Sequence, residues 1–180
     1  MSEPREFFID EIKTPLGQLQ IITDERGVLR LVGWYEGQDR YYGTLKRWHG
    51  DITLTKKKNA FGRTDTMQAY FDGDVGAIDA LPVASAGTDF QKTVWKTLRK
   101  IPVGETWSYG QMAKYIGEPT ASRAVGLANG SNPIGIVVPC HRVIGANGTL
   151  TGYGGGLPRK KWLLAHEAKH APVGLFGKAS

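Results

Sequence analysis

Cysteine is almost absent from this chain: Cys140 is the only one among 180 residues. One thiol cannot close an intramolecular disulfide, and with four scattered histidines it excludes a thiolate-rich zinc site. Long hydrophobic runs are missing too, with none near the roughly 20 residues that a membrane-spanning helix needs. There is no internal repeat and no low-complexity tract. The opening stretch, Met1-Ser2-Glu3-Pro4-Arg5-Glu6, is polar and partly acidic, unlike a secretion signal, so the formal sequon Asn129-Gly130-Ser131 carries no weight. These absences predict a cytoplasmic protein with no metal, no cofactor and no membrane contact, whose thiol stays reduced.

Acidic residues are scarce in one half only. Residues 87–180 hold 12 Lys and Arg against 4 Asp and Glu, whereas residues 1–86 hold 11 against 13. The net charge of +6 therefore belongs to the second half. Such a field speeds the approach to a polyanion, and the phosphate backbone of nucleic acid suits a protein of this size. A solvated basic surface with no partner would give the same count.

The pattern changes along the chain. Phe7–Ile12, Leu19–Thr23 and Val28–Val32 are short β-branched runs separated by turn residues, which predicts a small antiparallel meander. Met67–Phe71, after the cap candidate Asp65, predicts a short helix ended by Gly73, and Lys56-Lys57-Lys58 reads as an exposed loop. Gly73, Gly76, Pro82 and Gly87 mark a boundary between a supporting domain, residues 1–86, and a mainly helical domain, residues 87–180. The fold class expected is α+β.

In the second half, Thr88-Asp89-Phe90-Gln91 is a capping box opening a helix that presents Phe90, Val94, Trp95 and Leu98 on one face. Ser108-Tyr109-Gly110-Gln111 is another, opening a short helix with Met112, Tyr115 and Ile116 that Gly117 stops. Thr120 then caps a third helix, Ala121 to about Asn129. Two short helices around a glycine turn fit a helix-turn-helix, and equally a plain helical hairpin. The third helix is made of small residues, Ala121, Ser122, Ala124, Gly126 and Ala128, beside Arg123. A helix that slim can approach a groove or pack closely on a core.

Cys140 stands in Val138-Pro139-Cys140-His141-Arg142-Val143, with an imidazole and a guanidinium beside it. Nearby cations can lower a thiol pKa to roughly 3.5–7.5 and so activate the nucleophile. A buried cysteine behaving as a small hydrophobe is the other reading.

The stretch Pro139–Val143 resembles the active-site signature of the O6-alkylguanine-DNA alkyltransferases. So do Gly104–Gln111, Arg123-Ala124-Val125-Gly126, Asn132-Pro133, Gly152–Gly156 and Trp162–Glu167, in the same order and at similar spacing. The resemblance covers about Gly87 to Glu167. It implies a repair protein that flips O6-alkylguanine out of duplex DNA and takes the alkyl group irreversibly onto Cys140, one turnover per molecule. It further implies that His141 is the base, acting through a water, that Glu167 orients it, and that Asn132 braces the nucleophile's turn. By the same resemblance Ala121, Ser122, Arg123 and Gly126 line a helix in the minor groove, with Arg123 entering the duplex. Tyr109 crowds the phosphate and contributes its hydroxyl, the backbone at Cys140 and Val143 reads the guanine amine, and Tyr153 with Gly154 forms a lid. Many relatives carry serine where Gly154 stands, so only its backbone can act there. The expected state is a monomer.

Two readings from other classes compete with repair. A noncatalytic lesion binder would lack the cysteine. A helix-turn-helix regulator would need sequence-specific affinity and a dimer interface.

Overall fold

Strand-forming residues at the start of the chain fold back on themselves twice. In the computed structural model, which describes residues 4–172, β1 (Glu6–Thr14), β2 (Gly17–Asp24) and β3 (Leu29–Trp34) form an antiparallel meander. Met1–Glu3, part of the polar opening stretch, and residues 173–180 lie outside the described residues. Asp24 organises the second turn: its carboxylate accepts from the backbone N–H of Arg26 and Val28 and pairs with Arg30 at 2.9 Å.

The sheet is larger than the expected meander. Helix α1 (Gln38–His49) crosses over and returns the chain as β4 (Thr53–Lys56), parallel to β1, giving the order β3-β2-β1-β4. Lys56 thus ends a strand, and only Lys57 and Lys58 of the basic run follow it into the loop. Helix α2 spans Arg63–Phe71, starting two residues before Asp65. The cap assignment to Asp65 is corrected: the Asn59 side chain closes the start, accepting from Asp65 N–H at 3.0 Å and donating to its carboxylate at 2.9 Å. Gly73, at φ 115°, lets the chain leave the helix end.

Helix α3 (Asp89–Leu98) and helix α4 (Tyr109–Tyr115) each begin with the predicted capping box, from Thr88 with Gln91 and from Ser108 with Gln111. Helix α5 spans Ser122–Gly130, one residue later than expected. Thr120 does not cap it, because the N-cap position is Ala121, whose N–H is tied to the Glu118 carbonyl at 2.8 Å. Tyr115 is exposed and lies against Trp107. Helix α6 (Leu157–His170) closes the structure.

One core joins the halves. Leu19, Leu29 and Val32 from the sheet share a cluster with Val94, Leu98, Val125 and Leu163 from the helices. The segment after α5 also lies along β3, where Val32 N–H donates to the Pro133 carbonyl at 3.0 Å and Gly135 N–H to the Val32 carbonyl at 2.8 Å. That pairing covers the edge of the sheet and fixes the chain just before Cys140.

Candidate active site

Two tight turns deliver the cysteine. Ile136 adopts φ 70°, and Val137 N–H donates to the Gly135 carbonyl at 2.8 Å, a γ-turn of the strained hand. Pro139 at φ −83° and ψ 67° forms the relaxed kind, with Cys140 N–H bonded to the Val138 carbonyl at 2.8 Å. A β-branched residue at positive φ costs on the order of 1–3 kcal/mol, so the surroundings must hold it. Asn132 is one brace: its side chain donates to the Val138 carbonyl at 2.8 Å and accepts from Ile134 N–H at 3.0 Å. Asn129 is another, donating to the Cys140 carbonyl at 3.1 Å.

A single 3₁₀ turn carries Cys140, His141 and Arg142, all buried. Both basic side chains reach Glu167. His141 Nε2 meets Glu167 Oε2 at 2.8 Å, and Arg142 reaches both carboxylate oxygens, through Nε at 2.8 Å and Nη2 at 2.9 Å. Arg142 Nη1 takes the Ile101 carbonyl at 2.8 Å, and the Tyr70 hydroxyl adds a further bond to Glu167 Oε2 at 2.7 Å. Burial alone would raise the Glu167 carboxyl, but the His141 ring and the Arg142 guanidinium hold it well below the usual range. An ionised carboxylate only accepts, so the proton on His141 sits at Nε2 and Nδ1 is left basic. Nδ1 is buried and has no hydrogen-bond partner among the described residues.

The expectation of a thiol acidified by its neighbours is therefore corrected. Burial pushes the Cys140 thiol up, and the Asn132 side chain and the Lys160 ammonium, which pull it down, do not compensate. The guanidinium two residues away is already spent on Glu167.

Over Cys140 lies a cavity of about 30 Å³, bounded by Asn132, Tyr153 and Gly154 from the second half and by Trp34, Arg40 and Tyr41 from the first. That is about one water's share of liquid, far below the roughly 300 Å³ at which ligand pockets begin. Tyr153 and Trp34 flank Gly155 so closely that a Cβ there would come within 2.6 Å of both. At Gly154, in contrast, a Cβ would meet nothing within 4 Å, so a larger side chain has room. Lys160, fully buried, ties the segment before Tyr153 down by donating to the carbonyls of Val143 at 2.6 Å and Thr151 at 3.0 Å.

The predicted DNA-facing residues lie on α4, on α5 and at the N-cap of α5. Arg123 is exposed in the first turn of α5, with Ala121 and Ser122 half-buried beside it. The Tyr109 ring, at the start of α4, lies 3.8 Å from the Cβ position of Gly126 and so packs α4 onto α5. Its hydroxyl accepts from Thr151 at 3.1 Å, linking the helix pair to the segment before Tyr153.

Comparison with known proteins fits this geometry. The 6-O-methylguanine DNA methyltransferase, DNA binding domain, matches residues 89–169. A methylated-DNA–protein-cysteine methyltransferase of Shigella flexneri is 53% identical over 163 residues, covering 88% of this chain and 94% of the relative. The chain belongs to the methylated-DNA–protein-cysteine methyltransferase family. A family member from Methanosarcina acetivorans is 45% identical over 156 residues, 86% of this chain and 94% of its own. The crystal structure of Mycobacterium tuberculosis O6-methylguanine methyltransferase superposes with a TM-score of 0.74 at 43% identity, covering 94% of this chain and 98% of that one. The Mycobacterium tuberculosis OGT in complex with DNA gives the same score and identity over 93% and 95%.

Three residues of this methyltransferase's site escaped the sequence reading. Arg142 stands inside the signature but was counted as a cation for the thiol. Lys160, in Arg159-Lys160-Lys161, looks like a solvated run, yet it shares a helix face with Leu163 and Glu167, and that spacing was the available signal. Tyr70 lies 97 residues from Glu167 and gives no local signal at all.

Proposed function

We propose that this chain repairs DNA by moving the alkyl group of O6-alkylguanine onto Cys140, once per molecule. One observation carries the reading: the family is named for transfer from methylated DNA to a protein cysteine, and this chain has a single cysteine. The buried pairing of His141 with Glu167 supports it, since it leaves a basic imidazole nitrogen on the residue next to the thiol.

The lesion's O6 substituent lies within the base stack, so the nucleotide must swing out, at a cost on the order of a few kcal/mol. The slim α5 enters the minor groove, about 6 Å wide in free duplex and widened to admit it, and Arg123 fills the gap left by the base. Tyr109 crowds the flipped phosphate. The carbonyls of Cys140 and Val143 accept from the guanine amine; each already takes one donor, from Asn129 and Lys160, and keeps a second lone pair. Tyr153 and Gly154 cover the base. The cavity over Cys140 is smaller than a purine, so the lid or the first-half residues opposite it move aside first.

The sulfur–carbon bond then forms as the carbon–O6 bond breaks. The thiol proton goes to His141 Nδ1 through a water, the C–O electron pair stays on the guanine, and the guanine anion takes a proton from solvent. A thioether has no good leaving group, so the product stays on the protein. A lone thiol and the basic second half suit a monomer working in a reducing cytoplasm.

The test is mass spectrometry after mixing equimolar protein and a duplex bearing O6-methylguanine. The Cys140 peptide gains one methylene mass, in at most one equivalent, and Cys140→Ala still binds the duplex without reacting. An unmodified Cys140 in folded, reduced protein defeats the proposal.

A further inference from the structure

Tyr70 reaches the site from outside the signature. It lies on α2, is fully buried, and places its hydroxyl 2.7 Å from Glu167 Oε2, the same oxygen that receives His141 Nε2 at 2.8 Å and Arg142 Nη2 at 2.9 Å. A buried phenol needs an acceptor, and any nearby backbone carbonyl would satisfy it. Here it takes instead the one carboxylate oxygen that also bonds the base. Its position is secured on every side: its ring meets Phe71 edge-on at 5.3 Å and His166 at 5.3 Å, and its backbone carbonyl accepts from His166 Nε2 at 2.7 Å.

We infer that Tyr70 is a positioning residue for alkyl transfer, which sets the basicity of His141 by drawing on the charge of Glu167. The inference rests on the proposed Cys140–His141–Glu167 relay and adds to it a residue of the supporting half. The groups facing Glu167 are Tyr70 from α2 and His141 and Arg142 from the 3₁₀ turn; Arg142 and Tyr153 also act on the Tyr70 hydroxyl. Burial and the adjacent Glu167 charge keep Tyr70 protonated far above its ordinary range, so it is a permanent donor. With four hydrogen bonds from three side chains, Glu167 draws less strongly on the His141 Nε2–H, and Nδ1 stays less basic than beside a bare carboxylate.

The experiment measures the rate of Cys140 alkylation by free O6-benzylguanine against pH. Tyr70→Phe, which keeps the ring, moves the acid limb of the profile up by roughly half to one pH unit and slows the reaction at pH 7 about two- to fivefold. Full-length protein with 3-fluorotyrosine at position 70, a stronger donor of nearly the same volume, moves the limb the other way. In a His141→Gln background neither change at position 70 alters the profile, because the group it acts through is gone. An unmoved limb in Tyr70→Phe, or an equal loss at every pH that persists in the His141→Gln background, overturns the inference and leaves Tyr70 as packing. Failure of the relay itself looks different: His141→Gln alone would then leave the profile as in the parent protein.

Discussion

Glu167 accepts hydrogen bonds from Tyr70, His141 and Arg142 while shielded from solvent, so its charge is a structural element as well as a chemical one. Its folded-state pKa lies below the ordinary value of 4.5. The associated stability is therefore fully present above about pH 4.5 and is lost as the pH falls through the folded-state value. Glu167→Gln leaves the Arg142 guanidinium buried without a counter-charge, and urea titration at pH 7 should show a loss of roughly 3–5 kcal/mol. The same variant should show a flatter acid decline than the parent, because the carboxyl responsible is gone. Cys140 behaves in the opposite sense. Burial holds its thiol up, so the rate with free O6-benzylguanine should keep climbing past about pH 8.5, where an unperturbed thiol is half ionised. The absence of any further rise above about pH 8.5 would mean a thiolate formed at lower pH. The signature motif made Cys140, His141, Asn132 and Glu167 legible, because those residues lie in short blocks. It gave no hint of what the neighbouring cations face: that depends on a carboxylate 25 residues beyond Arg142, brought near only by folding.

Local grammar was clearest at the level of elements where side chains cap their own backbone. Thr88 with Gln91 and Ser108 with Gln111 both form reciprocal caps, since the four residues involved in each are contiguous. Asp65 and Thr120 were misread for a related reason: each is a good capping residue, but α2 begins two residues before Asp65, which Asn59 holds inside the helix, and the Glu118 turn shifts the N-cap of α5 to Ala121. Helix α1 carries Tyr41, Leu45 and Trp48 at helical spacing and was readable in principle, whereas β4 is four exposed residues whose parallel pairing with β1 depends on the whole crossover. Helix α5 offers the most direct functional test. Arg123→Ala removes an exposed side chain, so stability should change by no more than about 0.5 kcal/mol. Repair of a lesion-bearing duplex should nevertheless fall at least tenfold, with the rate on free O6-benzylguanine unchanged. Equal losses on the two substrates would deny the arginine its place in the duplex.

Across the whole molecule, charge and packing divide the chain differently. Net positive charge concentrates after residue 86, where acidic residues are few, yet the core runs through both halves, and β3 is paired by the segment that leads to Cys140. Composition could reveal the first division but not the second, because apolar residues in each half look sufficient for a core of their own. The tight space above the sulfur has an outcome beyond the reaction. A methyl group fixed on Cys140 roughly fills the cavity of about 30 Å³ walled by Trp34, Tyr41 and Tyr153, whereas a benzyl group exceeds it several times over. Overfilling a packed site typically costs about 1–3 kcal/mol. For a chain of this length that lowers the melting temperature by roughly 2–12 °C. Calorimetry on fresh and benzylated protein should resolve the difference, and identical melting curves would mean that the added ring finds open space. A molecule that has taken a bulky group would then carry its history as fragility, unfolding sooner than an unused one.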